Sequence, residues 1–168
     1  MYRKTFAEIN LGAIRHNLKV LNQKFSNYNY RFAVVKADCY GHGLQAIQSM
    51  LDAGCNYLAV ATLEEAIEVR QLYPKIPILC LGIIPYDGLE IAKSNNITIT
   101  ISNLDYIKNA PDLSGIKTHL KVNTGMNRLG FNDATELAQA YKSLDNVEGI
   151  YTHIYDAENS KHTEAQIQ

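Results

Sequence analysis

The stretch Ala33–Gly43 reads Ala-Val-Val-Lys-Ala-Asp-Cys-Tyr-Gly-His-Gly and predicts a buried strand that ends in a lysine and a glycine-containing turn. Residues 32–35 are apolar and rich in valine, as is typical of a parallel strand. Because side chains alternate along a strand, we expect Phe32, Val34 and Lys36 on one apolar face. Desolvation there lowers the lysine pKa and favours the neutral amine that forms a Schiff base. The alternative is a strand-end lysine that extends to water.

This stretch resembles the cofactor-lysine signature of the alanine racemases, which are pyridoxal-phosphate enzymes with a barrel domain and a separate β domain. The resemblance starts at Ala7–Leu11 and extends to the last residues. It implies that Lys36 holds the cofactor as an imine and acts as one of two acid/base groups. It also implies that Tyr40 lies beside the cofactor. Cys39 stands where the family often has a small residue, a change that we expect to alter little.

Composition indicates an ordinary globular protein. The 168 residues are 46% hydrophobic and 20% charged, with a formal net charge of −1, which gives no electrostatic case for binding nucleic acid or a membrane surface. No apolar run approaches the ~20 residues of a membrane span, and no signal peptide is visible. The three cysteines, Cys39, Cys55 and Cys80, lack CxxC spacing. We therefore expect free thiols in a reducing cytoplasm.

Strands and helices alternate along the predicted secondary structure. Six main strands are expected, at Arg31–Ala37, Asn56–Ala61, Ile76–Gly82, Ile97–Ile101, Thr118–Asn123 and Val147–Ile154. A short strand is also expected at Thr5–Ile9. The expected helix caps are Asn10, Thr62 (in a capping box with Glu65), Ser102 and Asn132.

This alternation predicts parallel βα units. An open doubly wound sheet and an unfinished (β/α)8 TIM-type barrel both fit it. A barrel typically needs ~250 residues. The racemase resemblance favours the first six βα units of a barrel, so we expect an N-terminal strand segment at 1–10 and a partial barrel domain at 11–168. The remaining barrel units and the β domain would then be absent, as in a fragment.

The fifth predicted strand carries polar residues on one face. His119, Lys121 and Asn123 alternate with Leu120 and Val122. A polar face on a parallel strand fits the mouth of a barrel, where the active sites of such folds lie. A buried Lys121 ammonium needs an anion beside it.

A second motif, Thr124–Gly130, reads Thr-Gly-Met-Asn-Arg-Leu-Gly and resembles the second signature of the racemase family. The resemblance implies that Arg128 binds the substrate carboxylate near the cofactor phenolate oxygen, a task that suits a planar guanidinium. Some family members carry a carbamylated lysine at the position of Lys121, which leaves open whether Lys121 is modified. Asn123 departs from the aspartate often found in the family.

The histidines predict no metal site, because no pair has ligand spacing beside a carboxylate. His153 is expected on the same strand face as Tyr151, and the resemblance implies that it supports the cofactor pocket by hydrogen bonding. His42 is expected to hydrogen-bond within its turn. His16 and His162 are expected on helix surfaces.

The resemblance implies racemisation of L-alanine to D-alanine, which supplies peptidoglycan synthesis, by a homodimer. In the family the second acid/base group is a tyrosine from the β domain of the partner subunit, and nothing in residues 1–168 matches that segment. We therefore expect the chain alone to be inactive. The alternatives are a serine-preferring racemase of the same family, a non-catalytic pyridoxal-phosphate-binding barrel protein, and a truncated product without activity. The two motifs argue against a fold-related decarboxylase of basic amino acids.

Overall fold

The structure is a computed structural model that describes residues 4–167. It contains two compact units, which divide between Ile78 and Leu79. Six strands are hydrogen-bonded in the order in which they occur in the chain. None of the helices within residues 4–167 combines the length and the apolar character needed to cross a membrane.

The first unit alternates helices with two parallel strands. Its elements are α1 (Leu11–Lys24), β1 (Phe32–Val34), α2 (Lys36–Gly41), α3 (Ala46–Asp52), β2 (Tyr57–Val60) and α4 (Leu63–Leu72). In the β1–β2 ladder Phe32 lies opposite Tyr57 and Val34 lies opposite Ala59. The β2 side chains are all buried, as expected for a strand covered on both faces.

The second unit continues the same alternation. Its elements are β3 (Ile78–Cys80, which begins at the boundary), a 3₁₀ turn (Tyr86–Gly88), α5 (Leu89–Ser94), β4 (Ile97–Ile101), α6 (Leu104–Asn109), β5 (Thr118–Lys121), α7 (Ala134–Ser143), β6 (Val147–Tyr151) and α8 (Ser160–Ile167). β5 is parallel to both β4 and β6. Every side chain of β4 and β5 is buried, whereas β6 is only half-buried.

Two of the predicted helix caps are confirmed. The side-chain oxygen of Asn10 accepts a hydrogen bond from the backbone N–H of Ala13 at 2.9 Å. At the start of α4, Thr62 and Glu65 form the predicted capping box, in which each side chain accepts from the backbone N–H of the other residue.

Two other caps lie one residue later than predicted. Asn103, not Ser102, caps α6 by accepting from the N–H of Tyr106 at 2.8 Å. Asp133, not Asn132, caps α7 by accepting from two N–H groups of the first turn. In both pairs the neighbouring residue is also a good cap former, so local composition does not decide between them.

The predicted strand at Thr5–Ile9 is wrong, because residues 4–10 adopt no regular structure. The expectation that Phe32, Val34 and Lys36 lie on a buried face of β1 is also wrong. Ala33 and Val35 are the buried side chains, at 5% and 1% exposure, whereas Phe32 and Val34 are each 39% exposed. Lys36 itself follows the strand and is half-buried.

Candidate functional site

The segment after Lys36 winds in the left-handed sense. Ala37, Asp38, Cys39 and Tyr40 have φ values of 50°, 52°, 54° and 56°. Each non-glycine residue in this conformation costs roughly 1–2 kcal/mol relative to the right-handed form. The surrounding structure must therefore hold the turn in place.

Backbone hydrogen bonds hold the turn from within. The N–H of Cys39 donates to the carbonyl of Val35 at 3.0 Å, and the N–H of Gly43 donates to the carbonyl of Asp38 at 2.9 Å. The ring nitrogen Nδ1 of His42 donates to the carbonyl of Cys39 at 2.7 Å, which confirms the prediction that His42 bonds within its turn. The side chain of Cys39 packs inward and is 2% exposed.

Glu65 holds the same turn from outside. One of its carboxylate oxygens accepts from the N–H of Ala37 at 2.8 Å, and the other accepts from the N–H of Ala61 at 2.7 Å. The capping-box pattern predicted only the local bond of Glu65 to Thr62. No sequence signal marks the contact with Ala37, which is 28 residues away.

Lys36 and Tyr40 meet on this turn. The Lys36 Nζ lies 5.9 Å from the centroid of the Tyr40 ring, and the Tyr40 side chain is 60% exposed. Within residues 4–167 the Lys36 amine forms no hydrogen bond or ion pair. Among the described residues the amine thus has no polar partner, and the exposed phenol ring of Tyr40 lies beside it.

The second unit presents Arg128 on a closed loop, Thr124–Gly130, that follows β5. The N–H of Asn123 donates to the carbonyl of Phe131 at 2.9 Å, and the N–H of Phe131 donates to the carbonyl of Lys121 at 2.8 Å. Gly130 has φ 132°, and a Cβ added there would lie 2.7 Å from the backbone nitrogen of Asn123. The closure of the loop therefore requires glycine at this position.

The side-chain amide of Asn123 organises the same loop. Its oxygen accepts from the N–H groups of Gly125 at 3.2 Å and Asn127 at 2.9 Å. Its nitrogen donates to the side-chain oxygens of Asn127 at 2.9 Å and Asn132 at 2.6 Å. A carboxylate only accepts hydrogen bonds, so the asparagine makes two contacts that the aspartate common in the family cannot make in this arrangement.

Tyr151 takes part in a short chain of hydrogen bonds in this unit. The hydroxyl of Thr100 donates to the carbonyl of Cys80 at 2.7 Å. The Tyr151 hydroxyl, 3.0 Å from the Thr100 oxygen, must therefore be the donor in that pair. Burial raises the pKa of Tyr151, while the positive charge of Arg128 acts in the opposite direction.

Lys121 lies close to the ring of this tyrosine. Its side chain is 5% exposed, and its Nζ lies 5.7 Å from the centroid of the Tyr151 ring. Arg128 is exposed and forms no hydrogen bond or ion pair with any residue in the range 4–167. The buried side chain of Lys121 thus lies against Tyr151, and the positive charge of Arg128 acts on the hydroxyl of the same tyrosine.

His153 and His119 occupy different environments. β6 ends at Tyr151, so His153 lies beyond the strand, where its side chain is exposed and its carbonyl accepts from the side chain of Gln166 at 3.1 Å. His119 is buried, and burial lowers its pKa despite the opposing influence of Glu148. Within the described part of the chain, no cluster of three or more histidine, cysteine or carboxylate side chains could hold a metal ion.

The sequence matches the family described as alanine racemase, N-terminal domain, over residues 9–168. The alanine racemase of Streptococcus suis is 37% identical over 99% of this chain and 48% of its own length. The chain thus spans about half the length of the curated relatives that it matches.

Solved structures match with the same coverage. An alanine racemase from Bacillus anthracis with bound L-Ala-P superposes with a TM-score of 0.89 at 31% identity, over 99% of this chain and 46% of that one. A histidine racemase from Leuconostoc mesenteroides gives 0.85 at 31% identity, over 95% and 46%. These matches confirm the predicted fold class, the first six βα units of a (β/α)8 barrel. This chain therefore belongs to the alanine racemase family and corresponds to its N-terminal domain.

Proposed function

We propose that this chain is the N-terminal portion of a pyridoxal-phosphate-dependent racemase that interconverts L-alanine and D-alanine. The observation that carries the proposal is the Lys36 amine. It has no hydrogen bond or ion pair within residues 4–167, and it lies beside Tyr40 on a strained turn. When bound, pyridoxal phosphate withdraws electrons from the substrate and so acidifies its α-proton.

The residues present fit this cofactor. An amine without a polar partner can attach to an aldehyde carbonyl, and the exposed ring of Tyr40 offers a surface beside it. In the proposal Lys36 would hold the cofactor covalently and would move the α-proton on one face of the substrate carbon, the face that serves the D-enantiomer. A second acid/base group would move the proton on the opposite face, which inverts the centre. Tyr40 contacts the cofactor, and His153 supports its pocket by hydrogen bonding.

Arg128 has the role of binding the substrate carboxylate near the cofactor. Its side chain is exposed and its guanidinium is free of any ion pair among the described residues, so both of its forked donors can reach a ligand. A bidentate guanidinium–carboxylate pair fixes the orientation of the amino acid as well as its charge.

We propose further that Lys121 is carbamylated. Lys121 is 5% exposed, burial of an ionised amine is costly, and a carbamate would place a negative charge in the unit that holds Arg128. Intact-protein mass spectrometry in bicarbonate buffer tests this point, with Lys121→Arg as the control that cannot form the carbamate. Equal masses for the wild-type chain with and without bicarbonate would argue against the modification.

Alanine is the proposed substrate because curated relatives at 37%, 39% and 36% identity are named alanine racemases. A histidine racemase shares the fold at the same 31% identity as the alanine racemase structure, so the assay must compare amino acids. Supply of D-alanine for peptidoglycan, a cytoplasmic location and a homodimeric state belong to the same proposal.

The experiment is a racemisation assay on a chain that continues past Gln168, with L-alanine, L-serine and L-histidine compared. We expect the highest kcat/KM with alanine, and loss of activity in Lys36→Ala. Because residues 1–168 contain no match to the family's second acid/base segment, the 168-residue chain should attach the cofactor without racemising. Preference for serine would favour the serine-racemase alternative, and attachment without turnover in the longer chain would favour a non-catalytic binding protein.

A further inference from the structure

We propose that Glu65 is a positioning residue for Lys36, whose orientation it sets by clamping the left-handed turn that follows the lysine. The inference rests on the proposed function, because it assigns Glu65 a role toward the amine that attaches the cofactor. It depends on the pattern of hydrogen bonds to the carboxylate and on the backbone of Ala37.

The carboxylate of Glu65 accepts three backbone N–H groups from two separate segments. One oxygen accepts from Ala37 at 2.8 Å, and the other accepts from Ala61 at 2.7 Å and from Thr62 at 3.4 Å. In a capping box the glutamate side chain serves only the N-cap residue, which here is Thr62. The bond from Thr62 is the longest of the three. The two shorter bonds of Glu65 therefore serve residues other than the N-cap of α4.

The two short bonds join the carboxyl ends of neighbouring strands. β1 and β2 are paired in parallel with Val34 opposite Ala59, and the chain leaves them through Ala37 and Ala61. Glu65 therefore ties the residue directly after Lys36 to the residue directly after β2. Charge-assisted bonds of this kind are stronger than bonds between neutral groups.

Ala37 needs this support because of its conformation. It is the first of four consecutive left-handed residues, with φ 50°, and it has no glycine-like freedom to adopt that angle. The direction of the Lys36 side chain depends on the peptide unit that Lys36 shares with Ala37. Loss of the Glu65 bond should allow this unit to rotate and carry the amine away from the ring of Tyr40.

Three substitutions separate positioning from folding. Glu65→Gln keeps the shape of the side chain but turns one oxygen into an N–H donor that faces a backbone N–H. Thr62→Ala removes the other half of the capping box and destabilises α4 without touching Ala37. Glu64→Gln removes an adjacent exposed charge in the same helical turn and controls for charge alone.

Each variant of the 168-residue chain is titrated with pyridoxal phosphate, and the lysine adduct is followed by its absorbance and mapped after borohydride reduction. Hydrogen exchange at the Ala37 amide and urea unfolding are measured on the same samples without cofactor. We expect Glu65→Gln to weaken attachment at Lys36 by about tenfold or more and to accelerate exchange at Ala37. Thr62→Ala should lower the urea midpoint while leaving attachment unchanged, and Glu64→Gln should match the wild type in all three readouts.

Attachment to Glu65→Gln at the wild-type level would overturn the proposal. An equal weakening in Thr62→Ala would also overturn it, because the effect would then follow helix stability. If the wild-type chain attaches no cofactor at Lys36 under these conditions, the proposed function fails. The rate of hydrogen exchange at the Ala37 amide still tests, in that case, whether Glu65 holds the turn. Unchanged exchange in Glu65→Gln would show that Glu65 does not hold the turn.

Discussion

The amine of Lys36 lies 5.9 Å from the centre of the Tyr40 ring although the backbone between them runs through four left-handed residues. These residues bring two chemically different groups, an amine and a phenol, to one side of the turn. In the proposed function this pair attaches and contacts the cofactor. The second unit carries Arg128 on a loop that is closed at Gly130.

Replacement of Arg128 by alanine should lower kcat/KM for alanine by about tenfold or more, because charge-assisted hydrogen bonds are worth roughly 1.5–3 kcal/mol. The measurement is steady-state racemisation by a chain that continues past Gln168. Lys142→Ala, which removes an exposed cation from α7, is the matched control and should leave kcat/KM unchanged. Wild-type kinetics in Arg128→Ala would exclude this residue from the carboxylate site.

Replacement of Gly130 by alanine should distort the loop that carries Arg128, although residue 130 has no proposed contact with substrate or cofactor. The new Cβ would lie 2.7 Å from the nitrogen of Asn123 and 2.8 Å from the carbonyl carbon of Val122, so the backbone must shift. We expect kcat/KM to fall at least as far as in Arg128→Ala, and urea unfolding should show a stability loss. Gly115→Ala is the comparison, since Gly115 has φ 73° and its added Cβ would meet only the side chain of Lys93, with Cε at 3.4 Å, so this variant should lose stability but keep its kinetics. A Gly130→Ala protein with normal kinetics would contradict the loop geometry.

Stability should fall as the pH drops below about 6.5, the ordinary histidine pKa, because of His119. Burial lowers the pKa of His119 in the folded chain, so the unfolded state binds more protons in the window below its own pKa, and stability decreases there. Thermal unfolding between pH 7.5 and pH 5.5 measures the slope, and His119→Gln should flatten it. His16→Gln, on an exposed position of α1, should not. A slope that persists in His119→Gln would assign the effect to another group.

Cys39 should be unreactive in the folded chain despite its place between Lys36 and Tyr40. Burial, helped by the charge of Asp38, raises its pKa to about 11, so only about a thousandth of the thiol is ionised at pH 8, and the thiolate is the reactive form. Iodoacetamide at pH 8 should modify Cys39 slowly in buffer and rapidly in urea, as judged by peptide mapping. Rapid native alkylation would mean that the turn is open.

The alternation of strands and helices was predictable because apolar runs and cap residues recur at regular spacing. The strand β4 was placed to the residue, and the capping box of α4 was recognised from Thr62 and Glu65. Cap positions such as Asn103 and Asp133 were missed by one residue, because two adjacent polar residues compete for each cap with similar energy.

The left-handed turn was not predictable from local sequence. Alanine and cysteine have no preference for positive φ, and only Gly41 and Gly43 signalled a turn. The long-range bond from Glu65 to Ala37 contributes to holding it, and such bonds leave no local pattern. The role of Asn123 was equally hidden, since its amide partners Asn127 and Asn132 matter only once the loop has closed.

The site of covalent attachment tests the proposed role of Lys36 most directly. The chain is incubated with pyridoxal phosphate, reduced with borohydride and mapped by mass spectrometry, with Lys36→Ala and Lys19→Ala, an exposed lysine of α1, in parallel. We expect stoichiometric label at Lys36 in the wild-type and Lys19→Ala chains, and no stoichiometric label in Lys36→Ala. Stoichiometric label at another lysine, or label that survives in Lys36→Ala, would contradict the proposed role.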